Sequence, residues 1–93
     1  MDATTRANHL RRRAGHLREL ATAIELLPVM ALEIHADGDT WRGPRPDLCR
    51  STLRANQRQL HGAVDDLRWQ ANRFEQQAVE LEAIAAARLG LAG

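Results

Sequence analysis

The chain has 93 residues, 44% of them hydrophobic, and its 13 basic residues, all arginine, stand against 12 acidic ones for a net charge of +1. That length bounds it to one domain, residues 1–93, with a thin core, and so even a balance selects no partner by bulk charge. Aromatic residues make up 3% and tyrosine is absent, which disfavours a β-sandwich or barrel, and no run of about 18 apolar residues exists to span a membrane.

Met1 to Gly15 is polar and arginine-rich, without the apolar stretch of a signal peptide. Residues 4 to 36 read as helix one. Leu10, Leu17, Ile24 and Ala31 fall seven apart, interleaved with Arg13, Leu20, Leu27 and Ile34. Spacings that alternate three and four are the seam of a left-handed coiled coil. Pro28 interrupts this pattern and predicts a kink or a local break, at about 3 kcal/mol in a helix interior.

Residues 37 to 45 concentrate glycine, proline and aspartate and read as a turn. Its Trp41-Arg42-Gly43 can lay an indole across the ends of both helices, while the glycine permits a tight turn or close approach. On these three residues alone, a generic turn whose tryptophan caps the core is the better account, since a single tripeptide is unspecific.

Helix two runs from about 44 to 89, with Pro44 or Pro46 tolerated in its first turn. Its seam is Leu53, Leu60, Leu67, Phe74 and Leu81, interleaved with Gln57, Val64, Ala71, Ala78 and Ala85. The fold class is all-α: an antiparallel two-helix hairpin, because the connection is short. A turn near Trp41 to Gly43 pairs Ile24 with Leu60, Leu20 with Val64, Leu17 with Leu67 and Leu10 with Phe74, and sets Arg13 against Ala71. The predicted hairpin seam is therefore Leu17, Leu20, Ile24, Leu27, Leu60, Val64, Leu67 and Phe74.

Apolar residues remain beyond that seam. Helix two outruns helix one, leaving Leu81, Ile84, Ala85 and Leu89 uncovered, and Ala14, Ala21, Val29, Met30, Leu32, Trp69 and Val79 lie off the stripe. Two helices share one stripe and seldom build more than a marginal core. This surplus predicts a partner, with Val29, Met30, Trp69 and Val79 as its interface and a four-helix bundle as the product.

A chain of this length, forming a helix–Trp-x-Gly–helix hairpin with the motif at its centre, resembles the WXG100 family, the small ESAT-6-like proteins of type VII secretion in actinobacteria and firmicutes. The resemblance covers the whole chain and rests on Trp41-Arg42-Gly43. It implies a non-enzymatic protein, held in the bacterial cytoplasm before export without a cleaved signal, that dimerises into a four-helix bundle. The implied partner is another WXG100-like protein, or the helical domain of a larger effector. A heterodimer is expected first and a homodimer second. Many exported pairs of this family carry Tyr-x-x-x-Asp or Tyr-x-x-x-Glu after the second helix on one partner. This chain has no tyrosine, so it looks like the partner without the signal.

Other motifs are weighed beside that reading. Arg11-Arg12-Arg13, with Arg6 and Arg18, could meet phosphates, but these residues point around the helix and no aromatic interleaves for base stacking. Glu19 and Glu25 are near enough to pair with them. His61 and Asp65, four apart, are too few ligands for a metal site, and His9 and His16 read as surface histidines. Cys49 reads as half-buried. Asp65-Asp66 and Glu80-x-Glu82 have no cleft to tune them, so no catalytic residue, metal or cofactor is expected. Beside the secretion partner stand two alternatives: a cytosolic accessory or chaperone of a secreted toxin, and an arginine-rich nucleic-acid binder.

Overall fold

A computed structural model describes residues 2–32 and 46–92, and every element among them is helical: α1 (Ala3–Glu25), α2 (Pro28–Ala31) and α3 (Pro46–Ala92). Trp41 and Gly43, the predicted turn motif, lie outside the described residues, as does the whole of the predicted turn. Both α1 and the short α2 pack on α3. At about 1.5 Å per residue, the 47 residues of α3 span roughly 70 Å, close to the 75 Å long axis of a body 17 by 15 Å across.

Asp2 starts α1. Its backbone is extended and its carboxylate accepts from the Thr5 amide at 2.7 Å, satisfying a first-turn donor that has no partner within the helix. That bond holds the Asp2 carboxyl below its ordinary range.

Pro28 ends the helix rather than bending it. Helix one was expected to run to about residue 36, but α1 stops at Glu25, closed by Leu26 N–H donating to Thr22 O at 3.0 Å. A proline disfavours helical geometry in the residue before it, and Leu27 accordingly sits at φ −61, ψ 138. Pro28 then opens α2 from its first position, where its missing N–H leaves no bond unmade. Gln57 of α3 closes the other end of α2 by donating to Val29 O at 2.8 Å and Leu32 O at 3.0 Å.

The seam is built on alanine. Ala7, Ala14 and Ala21, seven apart on α1, are fully buried, and Ala71 and Ala78 with Val64 are their counterparts on α3. Leu53 is the largest side chain in this core, and no side chain larger than alanine is wholly inaccessible among the described residues. Leu10, Leu17, Ile24, Leu60, Leu67 and Phe74 line the seam half-buried. The expected rotation of helix one is thereby corrected. Leu20 was placed in the seam but is 54% exposed, and Leu27, also placed there, is 41% exposed. Rows three before and four before the Leu10, Leu17, Ile24 row both have coiled-coil spacing. The alanine row wins because small side chains let two helices approach closely along their whole contact.

The register also differs from the expected pairing. Arg13 stacks over Phe74, Arg18 reaches Asn72 and Glu75, Arg11 reaches Glu82 and Glu25 meets Arg68. Each contact joins α1 to a residue further along α3 than a pairing of Leu10 with Phe74 allows: three residues further for Phe74, six for Asn72 and nine for the three ion pairs. The start of α1 consequently covers part of the supposed overhang. Leu81 and Ala85 are half-buried, and Ile84 and Leu89 remain exposed.

Candidate protein-interaction surface

Two flanks border the alanine seam, and they differ in chemistry. On the first, Arg11, Arg18 and Glu25 run seven apart along α1 and meet Glu82, Glu75 and Arg68, also seven apart along α3. Arg18 is the centre of this latch: one terminal nitrogen donates to Glu75 and the other to Asn72 Oδ1 at 2.9 Å. The hydrogen bond from Arg18 holds the Glu75 carboxyl below its ordinary range, more than desolvation raises it, and the charges of Arg18 and Arg11 add to the effect. The same bond to Glu75 raises the Arg18 guanidinium. Solvent-exposed ion pairs contribute little stability singly, so their main consequence is register: a slip by one turn would set unlike partners apart.

The second flank is open. Its row on α1 is Arg6, Arg13 and Leu20, again seven apart, with Arg13 lying 4.6 Å from the centre of the Phe74 ring and covering it. Near the start of α1 a groove of about 380 Å³ runs between the helices, lined by Arg6, His9, Leu10, Gln77, Leu81 and Ile84, with Glu80 at its edge. Leu20 and Ile84, both about half exposed, frame this flank. No cross-helix ion pair closes it among the described residues.

The residues expected to meet a partner divide into two groups. Val29 and Met30 are half-buried on α2, against α3. Trp69 and Val79 lie on the outer face of α3, 61% and 59% exposed, with the Arg73 guanidinium 5.1 Å from the Trp69 ring centre. Val79 shares a shallow depression with Asn72, Glu75, Gln76 and Glu80.

Three of the five clustered arginines are engaged with α3. Arg11 and Arg18 pair with carboxylates of α3, and Arg13 is committed to Phe74. Glu25 pairs across the seam with Arg68 rather than within α1, and Glu19 lies 3.8 Å from His16. Cys49 was expected half-buried but is exposed, because it sits on a part of α3 that α1 does not reach. Among the described residues, no group of three metal-ligating side chains converges and no helix is long and apolar enough to cross a membrane. The alanine row of α1, with Ala14 and Ala21 expected off the seam, and the Arg11–Glu82, Arg18–Glu75 register were not anticipated, though both repeat at seven-residue spacing.

Comparison with family models, with curated proteins and with solved structures produced no match to this chain.

Proposed function

We infer that this protein is a non-enzymatic helix-pairing module, a WXG100-like substrate or targeting partner of type VII secretion. It acts by binding a second small helical protein or the helical domain of a larger effector. The observation that carries the reading is the open flank. Leu20, Ile84 and the groove over Leu10 and Leu81 expose apolar surface beside a seam of alanines, while the opposite flank is latched by charge. A helix with leucines at three-and-four spacing would cover that flank and thicken a core that a hairpin alone cannot build. Export by this route is part of the proposal and rests on the resemblance around Trp41 and Gly43. The chain holds no tyrosine, so a Tyr-x-x-x-Asp/Glu signal would be the partner's.

That same lack favours one second reading, a cytosolic accessory of a secreted toxin that binds its helical region and stays behind. The nucleic-acid reading loses ground, since Arg11, Arg13 and Arg18 are engaged with α3.

The test is co-expression with each adjacent small open reading frame, followed by affinity capture and by fractionation of culture filtrate from strains with and without the secretion ATPase. The expected result is a stoichiometric second protein, released by Leu20→Arg, with both chains in the filtrate only when the ATPase is present. Capture without export selects the accessory reading. Absence of any captured protein contradicts both.

A further inference from the structure

We propose, resting on the reading of the open flank as a helix-binding surface, that the helix it takes is acidic and presents carboxylates about every seven residues to Arg6 and Arg13.

The two flanks treat charge differently. On the latched one, rows seven apart answer each other across the seam, Arg11 with Glu82, Arg18 with Glu75 and Glu25 with Arg68. On the open one, α1 contributes Arg6, His9, Arg13 and His16 at steps of three, four and three, all exposed. The matching row of α3 is Ala63, Gln70, Gln77 and Ile84, seven apart and uncharged. Gln77 and Ile84 line the groove together with Arg6 and His9, so cations of α1 face an amide and an alkyl group there. The row is bordered by Asp2, bonded to the Thr5 amide, by Glu80 at the groove's edge, and by Glu19, 3.8 Å from His16. Among the described residues, no ion pair joins a carboxylate to Arg6 or Arg13.

That imbalance selects the occupant. Arg6 and Arg13 stand about 10 Å apart along α1, the rise of seven residues on any second helix. Leu10 and Leu81 lie in the groove and Leu20 further along the flank, where they meet a leucine stripe. A helix seated on that stripe therefore carries Asp or Glu along the edge nearer α1. Arg13 can serve although it covers Phe74, because a guanidinium over a ring keeps its N–H donors at the edge. A basic helix in the same place would set like charges along the whole row, which rejects it.

Two synthetic helical peptides of about 21 residues, long enough to run from Arg6 past Leu20, test this. They share one leucine stripe, and every seventh position along one edge is glutamate in the first and lysine in the second. Binding to the full chain is read by fluorescence anisotropy, with helicity followed by circular dichroism. The glutamate peptide should bind at least about tenfold more tightly at low salt, and the margin should shrink in about 0.5 M salt. Arg6→Glu, which leaves the contact of Arg13 with Phe74 in place, should cut the margin severalfold. Arg6→Glu with Arg13→Glu should reverse it. Arg54→Glu makes the same change of net charge beyond the end of α1 and should leave the margin unchanged. Equal affinity for the two peptides, lost in Leu20→Arg, would keep the flank as a helix-binding surface and overturn its acidic occupant. Failure of both peptides to bind overturns the flank reading and the proposal with it. A tighter lysine peptide also overturns the proposal, as does a dimer of this chain in sedimentation velocity that Leu20→Arg abolishes.

Discussion

Arg18 of α1 donates to Glu75 of α3 across the seam, 57 residues away in sequence, and its second nitrogen reaches Asn72. Because Arg11–Glu82 and Glu25–Arg68 repeat this step seven residues to either side, one ladder of charge ties the two helices in a single register.

Acid should loosen that ladder. A carboxyl whose folded pKa is lowered contributes stability that is fully present above its unfolded value, 4.5 for Glu75, and is lost as pH falls through the folded value. Asp2, also lowered, acts in the same direction at the start of α1. Thermal melts on a pH series should show the midpoint falling on acidification below about 4.5, with a shallower fall in Glu75→Gln. Equal slopes in the two proteins would contradict the role given to Arg18.

The rotation of α1 has an opposite pair of expectations. Ala14→Leu inserts volume where the helices are closest and should destabilise by about 1–3 kcal/mol. Leu20→Ala, on the open flank, should change the stability of the isolated chain by no more than about 0.5 kcal/mol. Chemical denaturation of both variants decides the matter, and a reversed order would restore Leu20 to the seam.

Pro28→Ala should be mild, within about 1 kcal/mol of the wild type, because the proline occupies the first position of α2 and displaces no helical hydrogen bond. A proline kinking a continuous helix would instead release about 3 kcal/mol on replacement. Urea unfolding separates the two.

Gly15→Ala should stabilise. A Cβ at that position meets nothing within 4 Å, so alanine adds no clash and removes the entropic cost of glycine in a helix interior, about 0.5–1 kcal/mol. An unchanged or lowered midpoint would show an unseen contact there.

The helices, their antiparallel order and the seam of α3 were legible in the chain, where Leu60, Val64, Leu67 and Phe74 sit buried or half-buried as their spacing requires. The seam of α1 was not, because two rows flank Leu10, Leu17 and Ile24 at equal spacing. Hydrophobicity favours Leu20 and Leu27, whereas the distance between helices favours Ala7, Ala14 and Ala21. Register needed information of another kind, the matched sevens of Arg11, Arg18 and Glu25 against Arg68, Glu75 and Glu82. Pro28 announced an interruption, but only the extended backbone at Leu27 shows that the helix ends there. Trp69 and Val79 were recognisable as surplus, and their exposure agrees with that.

The central claim is that this hairpin completes its stability by association. The most direct measurement is the thermal midpoint of the chain alone across a concentration series, and then with a captured partner. Binding to the folded state alone raises the midpoint by mass action. The midpoint should therefore rise with protein concentration or with partner, and Leu20→Arg should lose the increment that the partner gives. A midpoint independent of both concentration and partner would contradict the account.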